Sequence, residues 1–143
     1  MAKYLLGTEA LIRHLTRAPS PVADLRMADV AVSAISCPWI MADAELDGDL
    51  DAHQRTVWRT NVSNFRSQLE AAGGDVLALS EKAIEQWGAV ALLELRDGED
   101  EMPAEERFVV ATAAANGLIY LGPARAWNRV LEERLGLAVR VVA

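Results

Sequence analysis

The sequence predicts an α/β fold with three layers, in which helices cover both faces of a mostly parallel central sheet. Short apolar runs that suit buried strands alternate along the chain with longer amphipathic stretches that suit helices. No internal repeat interrupts this alternation, and 143 residues is the size of one domain. Together these observations favour one α/β domain over an all-helical or all-strand fold.

The segment YLLGTEALI, residues 4–12, predicts the first strand and the first helix. Its apolar run suits a strand at about 3–6, and Thr8 is a good N-cap for a helix over 8–17. Gly7 stands at the carboxyl end of the strand, where α/β proteins commonly place a reactive side chain. A glycine there fits either a plain tight turn or a site that has lost its reactive group.

The alternation continues through the middle of the chain. A turn-rich link at 18–24 leads to a strand at 28–36, and Pro38 suits the first turn of the helix that follows. A long amphipathic helix is predicted over 52–72, because apolar residues recur there at a spacing of three or four and a Gly-Gly pair follows.

The second half of the chain has the same pattern. A strand at 75–79 precedes a helix that Ser80 caps. The acidic stretch 96–106 is predicted to be an exposed loop, within which Pro103 begins a helix that ends at Gly117. The remaining predicted elements are a strand at 118–121, a short helix in ARAWNRVLEERLG and a last strand in AVRVV.

The charge balance limits the classes of function. A net charge of −7, from 14 basic and 21 acidic residues, argues against broad binding to nucleic acid but not against a small metal-dependent site that handles RNA. No apolar run is long enough to span a bilayer, and the short N-terminal patch does not have the form of a secretory signal. The lone Cys37 excludes an internal disulfide. We therefore expect a cytoplasmic protein without membrane attachment.

Three segments are similar to a known set of motifs. YLLGTEALIRHL is similar to L-L-D-T-N-x-L-I, and VSAISCPWIMADA to S-x-x-T-x-x-E-L-x-x-G. ERFVVATAAANGLIYLGPARAW is similar to D-x-x-I-A-A-x-A-x-x-N-G-L-x-L-V-T-x-[ND]-x-x-x-F. In this order the segments resemble a PIN domain, most closely a VapC-like toxin subunit. The resemblance implies a single PIN-like domain over residues 1–143.

The resemblance implies metal-dependent cleavage of RNA. In the family, a cluster of carboxylates at the carboxyl ends of the strands holds Mg²⁺ or Mn²⁺, which activates water and neutralises charge on the phosphate. Carboxylates are needed because hard divalent cations prefer anionic oxygen ligands. The resemblance also implies a homodimer and an antitoxin partner that inserts a basic side chain into the acidic site.

The acids of the family are mostly replaced in this chain. The first Asp falls on Gly7, the Glu of the second motif on Trp39, and the last Asp or Asn on Ala124. The third acid falls on Glu106, which keeps its charge, and Thr8 after the first strand is also kept. One carboxylate does not hold Mg²⁺ tightly, and the ring of Trp39 is expected to exclude water from the site. We therefore expect no cofactor and little or no nuclease activity.

Other acids offer an alternative. Glu9 lies two residues after Gly7, and Asp43 lies one helical turn after Trp39. Together with Glu106 they are candidate ligands for Mg²⁺ or Mn²⁺ in a displaced active site. The competing interpretation is that Glu9 faces the helix dipole and that Asp43 is solvated.

The acidic segment DAELDGDLDAHQ, residues 43–54, partly matches a calcium loop. Its acids and Gly48 fall on the first nine positions of an EF-hand loop, but Gln54 replaces the bidentate Glu at position 12. A solvated acidic loop is the favoured interpretation, with weak Ca²⁺ binding as the alternative.

These observations are consistent with three alternative functions. The favoured hypothesis is a VapC-like protein with a degenerate active site, which acts by binding an antitoxin peptide, another subunit or RNA. The second is an active ribonuclease toxin that uses the displaced acids. The third is a non-enzymatic interaction module that binds an anion at the Thr8-capped helix N-terminus. Apolar faces of the helices at 8–17 and 52–72 are candidates for the contact of a homodimer.

Overall fold

Five parallel strands form the central sheet of the structure, a computed structural model that describes residues 1–17 and 19–142. The strands in chain order are β1 (Tyr4–Leu6), β2 (Val30–Ser33), β3 (Asp75–Leu77), β4 (Arg96–Asp97), β5 (Asp100–Glu101), β6 (Ile119–Gly122) and β7 (Val139–Val141). The sheet has the order β3-β2-β1-β6-β7, while β4 and β5 form a separate antiparallel hairpin. Ala18, in the predicted link at 18–24, lies outside the described residues.

Six α-helices connect the strands. They are α1 (Thr8–Thr16), α2 (Ser36–Leu46), α3 (Ala52–Ala71), α4 (Glu81–Ala91), α5 (Ala104–Asn116) and α6 (Trp127–Leu135). A short 3-10 turn at Met27–Asp29 precedes β2. Every predicted helix is present, and each lies within a few residues of its predicted position.

The alternation of side chains along the strands builds two cores. Leu5, Ala31 and Tyr120 belong to a cluster with apolar residues of α4, α5 and α6. Their neighbours on the opposite face, among them Leu6 and Val32, belong to a cluster with residues of α1, α2 and α3. The predicted three-layer α/β arrangement is therefore confirmed.

The predicted helix ends are mostly correct. The Ser80 hydroxyl caps α4 by accepting the Ala83 N–H at 3.2 Å, and Gly117 ends α5 with a left-handed φ of 62°. The prediction that Thr8 is the N-cap of α1 is wrong. Gly7 is the N-cap, because its backbone is extended and its carbonyl accepts the Leu11 N–H at 3.0 Å, so Thr8 is the first helical residue.

The acidic stretch 96–106 is more ordered than its composition indicates. It is largely exposed, as predicted, but it contains the β4–β5 hairpin, which turns at Gly98 with a φ of 65°. Met102 follows the hairpin and is almost fully buried, and its N–H donates to the Leu95 carbonyl at 2.9 Å. Buried apolar residues at both ends of the stretch therefore fix it to the core, which its net charge conceals.

The sheet order places a crevice beside β1. The chain moves outward from β1 on one side through β2 and β3, and on the other side through β6 and β7. The connections on the two sides of β1 therefore diverge, which opens a crevice at the carboxyl ends of β1 and β6, a place where α/β proteins commonly bind ligands. Within the described ranges, no helix combines the length and the apolar character required to cross a membrane.

Candidate functional site

Gly7 lies at the carboxyl end of β1, in contact with β6. Its N–H donates to the Leu121 carbonyl at 2.8 Å, which holds the two backbones together. A Cβ atom at Gly7 would lie 2.8 Å from the Leu121 carbonyl oxygen, 2.8 Å from the Tyr120 hydroxyl and 2.9 Å from Glu106 Oε1. No side chain fits in this space without movement of the β6 backbone, so the position that the resemblance assigns to an Asp is closed.

Glu106, which the resemblance assigns to an acidic position of the family, is buried beneath α1. It lies in the first turn of α5 and is 8% exposed. Its Oε1 accepts the Tyr120 hydroxyl at 2.5 Å, and both carboxylate oxygens lie 3.2 Å from the Thr8 N–H that donates to them. Burial raises the pKa of Glu106, while the hydrogen bonds from Thr8 and Tyr120 act in the opposite direction.

The Thr8–Glu106 contact changes the prediction of an anion site at the start of α1. The Thr8 N–H already donates to a carboxylate of the same chain, so an internal anion occupies this helix N-terminus. An external anion at Thr8 would have to displace Glu106. The N-terminus of α1 is therefore not free to bind the external anion that the sequence had predicted at Thr8.

Tyr120 fills the space that the missing side chains leave. It lies on β6, where the motif N-G-L-x-L-V-T has leucine, and it is 3% exposed. A Cβ atom at Gly122, where the motif has threonine, would lie 2.9 Å from the Tyr120 ring. Burial, followed by the charge of Glu106, raises the pKa of Tyr120 well above its ordinary value. Glycines at 7 and 122 thus leave room for one large side chain.

Tyr120 was not among the site residues predicted from the sequence. A tyrosine within the apolar run LIYL is the signal that was available, because a buried hydroxyl needs a hydrogen-bond partner. The pairing of that tyrosine with glycines at two family positions was a second signal. Neither signal names Glu106 as the partner, since that contact depends on how α5 lies across the sheet.

The two other replaced positions do not close the crevice. Trp39 is 47% exposed, so its ring does not fill the former site as expected. Together with Asp43 it lines a second cavity of about 430 Å³, which adjoins the cavity next to Glu106 at Thr8, Ile12 and Glu105. Ala124 is exposed after β6.

Glu9 lies at the mouth of a cavity next to Glu106. This cavity, of about 310 Å³, is lined by Glu9, Glu106, Tyr120 and Arg125 among others. Glu9 forms ion pairs with Arg13 at 3.2 Å and with Arg125 at 3.1 Å. Arg125, which follows Ala124, was not identified from the sequence, although a basic residue beside a former acid position is a usable signal.

The donor set does not fit a divalent cation. Gly7, Trp39 and Ala124 carry no oxygen ligand, and the Glu106 carboxylate already accepts hydrogen bonds from Tyr120 and Thr8. Of the proposed substitutes, Glu9 is paired with arginines, while Asp43 is exposed and lines the other cavity. Over residues 1–17 and 19–142, no group of three His, Cys, Asp or Glu side chains is arranged to hold a metal ion.

The segment 43–54 does not have the geometry of a calcium loop. Asp43 lies within α2, whereas an EF-hand loop is irregular at its first position. Asp51 caps α3 and forms a capping box with Gln54, in which each side chain accepts the other's backbone N–H at 2.8 Å. The acidic residues of segment 43–54 are exposed to solvent, which agrees with the favoured interpretation of a solvated acidic segment.

The buried Glu106 predicts an unusual dependence of stability on pH. Because burial raises its folded-state pKa above the ordinary 4.5, the unfolded chain releases this proton first as pH rises. Ionisation of Glu106 therefore lowers stability as pH rises from about 4.5 through the folded pKa. In Glu106→Gln this loss is absent, and the variant gains about 1.4 kcal/mol relative to the parent for each unit of pKa elevation.

Urea unfolding between pH 4 and 7 measures this difference. Any change in packing or hydrogen bonding that Gln introduces shifts the curve equally at all pH values and is separable from the slope. Glu85→Gln is the matched control, because it removes a charge from an exposed glutamate of α4 that does not contribute to the shift in the pKa of Glu106. Equal pH slopes for Glu106→Gln and the parent protein would contradict a raised pKa at Glu106.

Comparison with solved structures identifies the fold. The chain superposes on chains of VapBC2 from Rickettsia felis bound to a promoter DNA fragment (TM-score 0.71, 13% identity, 98% of each chain covered). It also superposes on FitAcB from Neisseria gonorrhoeae (TM-score 0.68, 17% identity, 95% of each chain). A third solved structure on which the chain superposes is DNA-bound VapBC from Salmonella typhimurium (TM-score 0.67, 17% identity, 99% of this chain and 98% of that one).

These likenesses confirm the fold that the motifs predict. Each covers nearly the whole chain, and the parallel sheet with helices on both faces is the PIN-like arrangement of VapC-type proteins. No protein-family model matches the sequence, and no curated protein is similar to it. At identities below 20% the likeness establishes the fold, whereas the chemistry must be argued from the site.

Proposed function

We propose that this chain, which has the fold of VapBC and FitAB toxin–antitoxin proteins, is a VapC-like protein whose metal-dependent ribonuclease activity is lost or strongly reduced. It acts by binding, with an antitoxin-like protein as the principal partner, and a second PIN subunit or RNA as further candidates. It forms one PIN-like domain over residues 1–143 and works in the cytoplasm.

The packing of Tyr120 between Gly7 and Gly122 is the observation that carries this proposal. A site that had lost one acid by chance would retain space for a side chain at that position. Here a Cβ at Gly7 meets Tyr120, Glu106 and the β6 backbone at less than 3.0 Å. The Tyr120 hydroxyl donates a hydrogen bond to the carboxylate of Glu106, the one acid at a position that the resemblance assigns to a ligand. The interior is thus adapted to a metal-free hydrogen-bonded pair.

An apolar cavity beside the former site supports binding as the function. Trp39, Leu50 and Trp58 line the cavity of about 430 Å³, and Asp43 and Asp47 lie at the same cavity. Partly exposed tryptophans are frequent anchors of protein interfaces, and acids around them favour a basic partner. A partner segment with apolar and basic side chains therefore fits this surface.

The gene next to this one is expected to encode a small antitoxin-like protein that binds here. Coexpression and copurification of the two chains test the partnership, with Trp58→Ser as the variant that weakens it and Trp87→Ser, at the opposite layer, as the control. Loss of binding in the control but not in Trp58→Ser would contradict the assigned surface. Sedimentation of the purified chain tests the homodimer.

A ribonuclease assay tests the loss of activity. The protein is incubated with Mg²⁺ or Mn²⁺ and with structured and unstructured RNA, alongside Glu106→Gln. We expect no cleavage above the background of the purified variant, because removal of charged ligands abolishes both metal affinity and the activation of water. Calorimetry with Mn²⁺ is expected to show no binding.

The same assay separates the alternative function. The acids around the cavity of about 310 Å³, which include Glu9 and Glu105, are the observation that favours a displaced active site. Robust cleavage that Glu106→Gln and Asp43→Asn abolish would establish the displaced site of Glu9, Asp43 and Glu106 and overturn the proposal. Cleavage that survives both substitutions would indicate a contaminating nuclease.

A further inference from the structure

Arg125 is held rigidly at the mouth of the former active site. Its carbonyl accepts the Asn128 N–H at 3.1 Å at the start of α6. The Asn128 side chain donates to the Pro123 carbonyl at 3.0 Å, so the backbone on both sides of Arg125 is fixed. The arginine side chain is 29% exposed, although it follows an exposed alanine. This local structure directs a long basic side chain inward.

The guanidinium of Arg125 connects two parts of the chain that are distant in sequence. Its Nη2 donates to both carboxylate oxygens of Glu9, at 3.1 and 3.3 Å, and its Nη1 donates to Asp97 at 3.4 Å. Glu9 belongs to α1, whereas Asp97 belongs to the β4–β5 hairpin. A planar guanidinium can donate to two carboxylates through two different nitrogens. A lysine ammonium does not reproduce this geometry.

The surroundings of Arg125 have the composition of a site for a guanidinium. The indole of Trp127 lies beneath it, with Arg125 Cζ 5.5 Å from the ring centroid. Five acids line the same cavity, namely Glu9, Asp100, Glu101, Glu105 and Glu106. Among the described residues that line this cavity, Arg125 is the basic one. The cavity is therefore acidic and aromatic-walled, and Arg125 of the same chain, which lines it, already binds one of its acids, Glu9.

We propose that Glu9, Asp97 and Trp127 form a guanidinium-binding site, and that Arg125 occupies it from within the chain. An arginine side chain of another molecule is excluded while Arg125 is in place, and removing Arg125 opens the site. On the proposed binding function, a partner that brings an arginine to this site would have to displace Arg125 from Glu9 and Asp97.

Titration with N-acetylarginine amide, followed by amide NMR spectra, tests this site directly. In Arg125→Ala we expect saturable shifts at Thr8, Glu9 and Asp97, with a dissociation constant on the order of 1 mM for a ligand of this size. In the parent protein the competing Arg125 side chain is expected to weaken binding at least about tenfold. N-acetyllysine amide is expected to bind Arg125→Ala more weakly than the arginine probe.

Three further variants make the test specific. Arg129→Ala removes an exposed arginine of α6 that pairs with Glu133, and it is expected to behave as the parent protein. Glu9→Gln combined with Arg125→Ala is expected to lose the binding that Arg125→Ala gains. Arg125→Met keeps a long apolar stem over Trp127 and replaces the alanine variant if that variant does not fold.

Two results would overturn the proposal. Saturable binding of the probe by the parent protein with the same affinity as by Arg125→Ala would show that Arg125 does not occupy the site. No binding to the parent protein, Arg125→Ala and Arg125→Met alike would show that these residues do not form a guanidinium site. The titration uses neither RNA nor a partner protein, so it remains informative even if the ribonuclease assay contradicts the loss of activity.

Discussion

Gly7→Ala is expected to destabilise the protein by about 3 kcal/mol, because overpacking of a filled interior forces the backbone to move. The added Cβ would lie 2.8 Å from the Leu121 carbonyl oxygen, which is backbone and cannot rotate away. It would also lie 2.8 Å from the Tyr120 hydroxyl, which is held by Glu106. Gly7→Asp is expected to cost more, since it adds a second carboxylate next to a buried one. Urea unfolding measures both effects.

Gly48→Ala is the matched control for this prediction. A Cβ at Gly48 has no neighbour within 4 Å, so we expect its unfolding curve to match that of the parent protein. Tyr120→Phe removes one of the close contacts and is expected to offset part of the loss in Gly7→Ala, so the double variant is more stable than the sum of the single effects indicates. Strict additivity would argue against packing of Gly7 against the Tyr120 hydroxyl.

Arg107→Met is expected to cost about 3 kcal/mol, because it removes the donor of the Leu93 carbonyl and one of the donors of the Val90 carbonyl, which also accepts the Leu93 N–H at 3.1 Å. The Arg107 side chain is 10% exposed, and its Nη1 donates to the Val90 carbonyl at 2.7 Å and to the Leu93 carbonyl at 3.0 Å. These carbonyls lie at the carboxyl end of α4, where helical carbonyls lack partners within the helix. Arg107 therefore ties α4 to α5, and thermal or urea unfolding reports its loss.

Arg129→Met provides the comparison for Arg107. Arg129 is 84% exposed in its ion pair with Glu133, and exposed pairs of this kind contribute little to stability. We expect no measurable change in its unfolding curve. Arg107→Lys is expected to retain part of the stability, since one ammonium donates to a carbonyl but does not match the geometry of the guanidinium. Equal stability of Arg107→Met and Arg129→Met would contradict the role assigned to Arg107.

Local periodicity made most of the fold predictable. The continuous apolar runs of β1 and β6 and the three-to-four spacing in α3 depend only on neighbouring residues, so strands and helices were located without tertiary knowledge. The hairpin at 96–101 was missed because its strands have two residues each, too few for alternation to appear. Thr8 was misassigned as an N-cap because Gly7 carries no side chain that signals this role.

The sequence by itself determined that Gly7, Trp39 and Ala124 stand at the positions that the resemblance assigns to acidic ligands, since residue identities need no coordinates. Only the tertiary structure decided what replaced them. The hydrogen bond between Tyr120 and Glu106 and the ion pair of Arg125 with Glu9, 116 residues apart, depend on how helices lie across the sheet. Such contacts are set by packing between distant segments, and they cannot be predicted from periodicity or from spacing along the chain.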